Sequence, residues 1–493
     1  MKTTSITLIT VALVAQLSAS SAIAQMIPPR PEQLTFKPLS FTPPMAADFR
    51  HELSNGIVVF LAPSKELPLI DLSMSFRGGE FLEAANKCGL TGMTTALLRT
   101  GGTISMAPSD LDEKLDFLAT EISMRGGGTS CSVSLDCLTS TFDESLTLLM
   151  DMMMRPRFDD AKIKVALDST LEYMKQRNDD AEPILDREWA IALYGADHFE
   201  ARQPTEASVR SITKDDMAAF ASKVFNPANV VVAVSGDFEI PAMLAKLEQA
   251  FAAWPKGERM PTPPAPTSVL KPGVFHVEKE IPQGKVYIGN RSITREDPDF
   301  FPSLVMNEIL GGGGFTSRIM KTVRSDEGLA YSAGSSLDPG VYYPGEFRAG
   351  FQSKSATVAL AIKLIENEFR KMRDTPVSAE ELEVAKQSFI ETFPRSFESK
   401  PAMLKIFVGD EWTGRDSTYW TTFRANVAKV SAADVQRVAQ RLLDPTQMAI
   451  YIVGDWDTIS LGDATGRAKM AEFFDDQSVE IPQRDPMTML PRD

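Results

Sequence analysis

The stretch ITKDDMAAFASKVFNPANVVVAVSGDF, from Ile212 to Phe238, returns as VSAADVQRVAQRLLDPTQMAIYIVGDW, from Val430 to Trp456, at an offset of 218 residues without a gap. Asp216 meets Asp434, Ala221 meets Ala439, Pro227 meets Pro445, and Gly236-Asp237 meets Gly454-Asp455. Each copy reads as a helix capped by Thr213 or Ser431, a turn at Asn226-Pro227 or Asp444-Pro445, and an apolar strand ending in Gly-Asp. Punctuation matched at one offset means an internal duplication. The expected fold class is therefore α+β: two homologous domains, each a mainly antiparallel sheet with helices packed on one face.

Working outward, Pro255 and Pro272 bracket a stretch that also holds Pro261, Pro263, Pro264 and Pro266 and has no apolar period. Residues 255–272 are thus expected to link domains at 48–254 and 273–460, with 461–493 as a C-terminal extension. Pro28, Pro29, Pro31, Pro38, Pro43 and Pro44 make residues 25–47 an extended arm, since each proline fixes φ and removes a donor. Before it, the apolar run Ile6 to Leu17 follows Lys2 and ends in Ala22-Ile23-Ala24. That pattern predicts a signal peptide over 1–24 and export, periplasmic or secreted, with no membrane span in the mature chain.

The 493 residues are 43% apolar and 24% charged, an ordinary globular balance. Lys plus Arg total 51 against 66 acidic residues, a formal charge of −15, so no basic excess is offered to nucleic acid. Cys131 and Cys137 lie on one alternating segment that holds their sulfurs roughly 20 Å apart at about 3.3 Å per residue. They cannot bridge each other, and burial as small apolar residues is expected.

In the first half, strands are expected at Ile57–Ala62, Leu69–Phe76 and Thr129–Thr139, with helices at Leu90–Leu98, Phe142–Met154, Asp159–Arg177 and Glu182–Leu193. The second half offers strands at Val274–Glu278, Lys285–Asn290, Ala330–Leu337 and Gly345–Gln352. Its helices fall at Phe301–Leu310, Ser317–Val323, Ala356–Lys371 and Ala379–Phe393, and Phe315, Ile319, Met320 and Val323 make the apolar face around the second.

Two motifs follow strand pairs: GLTGMTTALLRTGGT over 89–103, and NEILGGGGFTSR over 307–318 leading to VRSDEGLAY over 323–331. With the duplication, they resemble the insulinase and mitochondrial-processing-peptidase family of zinc metallopeptidases over roughly residues 47–460. In active members the first helix carries H-x-x-E-H, two zinc-binding histidines one turn apart and a glutamate that activates water. The matching positions here are Gly92, Thr95 and Ala96, which ligate nothing, and Glu172 is left near the place of the family's third ligand. His51, His198 and His276 form no pair at helical spacing, so this chain is expected to hold no zinc.

The resemblance implies that Arg324 and Tyr331 contact substrate and the developing oxyanion at a zinc centre on another subunit, as a guanidinium fork and a phenolic donor can. It also implies that Gly311, Gly312, Gly313 and Gly314 touch substrate; a plain helix–helix hinge is the other reading. That turn lacks the G-K-[ST] ending of a phosphate cradle. Strand Leu69–Phe76 is expected at a sheet edge, where the family pairs with substrate. The chain then reads as the zinc-less subunit of an exported two-chain metalloendopeptidase, acting on peptide or unfolded protein only with a homologous zinc-binding partner. The alternative is a non-catalytic scaffold or peptide-binding protein of the same fold. With three histidines, no Ser/His/Asp or Cys/His set suggests a metal-independent enzyme.

Overall fold

A computed structural model describes residues 40–492; the leader expected over 1–24 and the arm up to residue 39 lie outside them. Two units are distinguished, Met1–Thr42 and Pro43–Asp493, and the second holds both sheets.

The first sheet is built from β1 (Arg50–Glu52), β2 (Val58–Pro63), β3 (Leu69–Arg77), β4 (Glu121–Gly126), β5 (Ser130–Leu138) and β6 (Val230–Gly236), in the order β1-β2-β6-β3-β5-β4. The second contains β7 (Gly273–Glu278), β8 (Gln283–Arg291), β9 (Ala330–Asp338), β10 (Glu346–Lys354), β11 (Ala449–Gly454) and β12 (Ser478–Glu480), in the order β12-β7-β11-β8-β10-β9. β2 runs parallel to β6 and β7 parallel to β11, while the other pairs of the shared five-strand pattern are antiparallel. The sixth strands differ: β1 is antiparallel to β2, and β12, from the C-terminal extension, is parallel to β7.

The duplicated stretch folds alike in both halves. Thr213 and Ser431 each accept from the backbone of Asp216 or Asp434 and are answered by that aspartate's carboxylate, a capping box that satisfies two donors at a helix start. Asn226 and Asp444 each accept from the amide two residues on, which shapes the turn into β6 or β11. Both strands are central and covered on both faces, hence their apolar runs.

Each sheet buries one face under helices of its own half. Leu72, Met74 and Phe76 of β3, with Val133 and Leu135 of β5, meet Met93 and Leu97 of the Leu90–Thr100 helix and Phe142 and Leu149 of the Phe142–Met154 helix. The opposite face is covered by a helix from the other half. Phe60, Ala62, Val231 and Ala233 of the first sheet pack on Met403, Leu404, Phe407 and Val408 of the Lys400–Thr413 helix. Val277, Tyr287, Tyr451 and Val453 of the second sheet pack on Ile184, Leu185, Trp189 and Leu193 of the Ala181–Tyr194 helix. Trp189 and Phe407 keep the offset of 218, so the exchanged helices are themselves the duplicated pair.

A matching clamp closes each exchange. Arg77, at the end of β3, donates to the Trp412 carbonyl at 2.8 Å and lies 5.3 Å over the Trp412 ring. Arg291, at the end of β8, donates to the Leu193 carbonyl and lies 5.8 Å over Tyr194, which stands 218 residues before Trp412.

Two expectations are corrected. β3 is an interior strand between β6 and β5, because the late strand β6 inserts beside it; the edges are β1 and β4 in the first sheet and β12 and β9 in the second. The Ser317–Val323 helix is a π-helix over Met320–Asp326, and the preceding helix is α over Phe300–Asn307 and π over Glu308–Gly312. Cys131 and Cys137 are buried and unpaired, and no helix and no strand occupies 255–272.

Candidate functional site

The π-helix Met320–Asp326 is anchored by Val323, fully buried, and its last carbonyls are taken by a tight turn. Gly328 donates to the Arg324 carbonyl at 3.0 Å and Leu329 to that of Val323 at 2.9 Å. Gly328 has φ +65°, a left-handed conformation that glycine adopts without strain. The turn leads straight into the edge strand β9, where Ala330 pairs with Ser353 and Ala333 with Phe351. Tyr331 and Ser332 therefore oppose the single residue Gln352, a β-bulge that re-aims the side chains carried on it.

The bulge brings Tyr331 and Arg324 together, with the Arg324 Cζ 4.6 Å from the Tyr331 ring centre. The guanidinium also meets the Phe315 ring, at 4.8 Å. Phe315 and Tyr331 are 71% and 84% exposed, so two large aromatic surfaces are spent at the surface to hold one guanidinium. Among the described residues no carboxylate pairs with Arg324 and no group bonds the Tyr331 hydroxyl, which leaves fork and phenol free for a ligand. Phe315 departs from the apolar face expected of it: Ile319 and Val323 are buried, while Phe315 leaves the helix and covers Arg324.

The glycine turn serves this strand. A Cβ on Gly311 would lie 2.2 Å from the backbone nitrogen of Ser335 on β9, so only glycine allows that approach. Asn307 accepts from the Ser335 hydroxyl at 2.7 Å and fixes the same contact. Gly312 and Gly314 remain exposed. Two cavities border the turn. One, of ≈ 440 Å³, is lined by Gly311, Gly312, Gly314, Ser332 and Gln352. The other, of ≈ 1100 Å³, is lined by Gly313, Phe315, Lys321 and the Arg318–Glu381 pair. Arg318 grips Glu381 through two bonds of 2.7 and 2.9 Å, which with the Ser378 cap holds that carboxylate at about 2.

The zinc positions offer no donor set. Gly92 and Ala96 are exposed on the Leu90–Thr100 helix, and beyond that helix's own backbone nothing lies within 4 Å of where a Gly92 Cβ would be. Thr95 is buried, its hydroxyl on the Thr91 carbonyl at 3.0 Å. Glu172 is exposed and paired with Lys175 at 2.8 Å. Among the described residues no three His, Cys, Asp or Glu side chains are grouped to hold a metal ion. The residues present do not fit the family's zinc. Nor, among the described residues, is any helix long and apolar enough to cross a membrane.

Residues 211–389 match the family model described as the peptidase M16 inactive domain. The chain carries a peptidase M16 inactive domain. It is 24% identical over 392 residues to a non-peptidase homolog, YmxG, of Helicobacter pylori, covering 79% of this chain and 90% of that one. A Mycobacterium leprae relative named as an uncharacterized zinc protease is 26% identical over 234 residues, 46% of this chain and 52% of its own length. Among solved structures, the M16 inactive domain from Pseudomonas fluorescens superposes with a TM-score of 0.74 at 23% identity, over 82% of this chain and 97% of that one. The Escherichia coli periplasmic protease PqqL gives 0.69 at 15% identity, with 90% of this chain spanning 50% of PqqL. These two structures share the fold. The inactive-domain match and the empty ligand positions both fit an M16-type chain that holds no zinc of its own.

Proposed function

We propose that this protein is the zinc-less subunit of an exported two-chain metalloendopeptidase. It holds a peptide or unfolded segment and presents Arg324 and Tyr331 to a scissile carbonyl at the zinc centre of a homologous partner. The observation that carries this reading is the unpaired Arg324 guanidinium, held against two exposed rings at the bulged start of an edge strand. Such donors, fixed before substrate arrives, stabilise charge that develops on a carbonyl oxygen without reorganising. The length relation to PqqL supports a two-chain enzyme, since this chain spans one half of that protease.

The name of the Helicobacter relative favours a second reading, a non-catalytic peptide-binding scaffold. Co-expression with a homologous chain bearing an intact H-x-x-E-H separates the two. The shared-site reading expects chelator-sensitive peptide hydrolysis by the complex and none by this chain alone. A stable complex no faster than the zinc chain by itself supports the scaffold.

A further inference from the structure

Far along the chain from Arg324, three arginines from separate segments line one cavity of ≈ 250 Å³. Arg187 comes from the Ala181–Tyr194 helix, Arg202 from the loop after it, and Arg484 from the C-terminal extension. Among the described residues that line it, Asp197 is the only acid; Cys88, Ile191 and Ala196 complete much of the wall.

Among the described residues, Arg187 and Arg202 each leave one guanidinium nitrogen without a partner, whereas Arg484 uses all three, the third on the Met489 carbonyl at 3.4 Å. Glu188, buried beside them, receives the Arg187 Nε at 3.2 Å and Arg484 through two bonds of 2.8 and 3.0 Å, so both its oxygens are committed. Arg187 also donates from Nη2 to Asn178 at 3.1 Å, while its Nη1 makes no hydrogen bond among the described residues. Arg202 donates from its terminal nitrogens to the Glu80 and Glu83 carbonyls, but its Nε is buried without a partner. A buried donor left unmade is costly, and a guanidinium fork matches the paired oxygens of an oxyanion. Arg177 stands close enough for the charge of Arg187 to add to burial in lowering its pKa. The nearby Glu80 carboxyl is pushed up by burial and by Glu83 and Glu200, while Arg202 pulls it back down.

We propose that this cavity binds a small oxyanion, of the size of inorganic phosphate, between Arg187, Arg202 and Arg484. The anion fastens the C-terminal extension to the first half. The extension already docks there, with the Arg484 carbonyl accepting from Asn178 at 2.7 Å and the Met487 carbonyl from the Glu206 amide at 2.8 Å.

The test is calorimetric titration of the full-length protein with inorganic phosphate, against chloride at matched ionic strength. Two variants accompany it: Arg202→Gln, which removes a donor, and Ala196→Phe, which fills the cavity and leaves every arginine in place. The wild type should bind one phosphate saturably, and each folded variant should bind at least about tenfold more weakly. If Arg202→Gln fails to fold, Ala196→Phe decides alone. No saturable phosphate binding by the wild type at millimolar concentrations, or undiminished binding by a folded variant, overturns the proposal.

Discussion

The Arg324 guanidinium lies 4.6 Å from the centre of the Tyr331 ring, seven residues ahead of it, because a glycine turn folds the end of a π-helix over a strand bulge. Position and partner are thus set by backbone geometry, and the second ring, Phe315, only restricts how the fork turns. Phe315→Ala should cost about 1 kcal/mol or less of stability, the scale of an exposed cation–π contact, while lowering the turnover of the assembled complex. Paired melting and rate measurements check this. A large loss of stability would instead make Phe315 a packing residue.

The degenerate zinc helix predicts an asymmetric response to restoration. Histidines at Gly92 and Ala96 point to solvent and should leave the melting temperature nearly unchanged. Thr95→Glu buries a carboxylate where a Gly126 Cβ would already approach the Thr95 methyl to 3.2 Å. It should cost on the order of 1–3 kcal/mol. The melting temperatures of the double and triple variants, with zinc content by elemental analysis, test it.

Asp71 faces Asp136 across β3 and β5, with Ser235 on its other side and Glu121 beyond Asp136. Burial, and then the hydrogen bond and charge of Asp136, push its carboxyl up to about 7 from 3.8. Between those values the native chain keeps a proton that the unfolded chain has released, so this group lowers stability as pH rises from about 4 to about 7. Asp71→Asn should therefore match the wild type in melting temperature near pH 4 and exceed it at pH 8. A difference independent of pH would contradict the assignment.

The exchanged helices predict that neither half folds alone. Four large side chains on the Ala181–Tyr194 helix, at about 1.5–3 kcal/mol each when buried, amount to the net stability of a whole domain. Trp189→Ala should cost about 3–5 kcal/mol. Thermal unfolding of the wild type should show one transition, and a chain ending at Trp254 should expose Phe60 and Val231 and aggregate. Two separate transitions would argue for independent halves.

The duplication was legible because caps and turns are local: Thr213 with Asp216, and Ser431 with Asp434, announce themselves within four residues. The exchange was not, since the apolar stripe of the Ala181–Tyr194 helix says that a face is covered without saying by what. The edge expected at β3 failed for a related reason, because β6 arrives about 150 residues later and no pattern in β3 marks its coming. Arg324 and Tyr331 were singled out through the family resemblance, and the structure places their side chains against each other. Phe315 was missed because an aromatic beside apolar helix residues reads as core, and only the π-helix that carries Arg324 back over it shows otherwise. β12 pairs through three exposed residues, which leave no apolar signal.

The most direct measurement is kcat per assembled complex for wild type, Arg324→Ala and Tyr331→Phe, each paired with the zinc-binding homologue, with thermal stability recorded on the same samples. Loss of one preorganised donor typically costs about 2.7–4 kcal/mol, or about a hundredfold to a thousandfold in rate. A fall of that size at unchanged stability and assembly is the predicted result. Unchanged kcat in both variants would contradict a shared active site and leave this chain a scaffold.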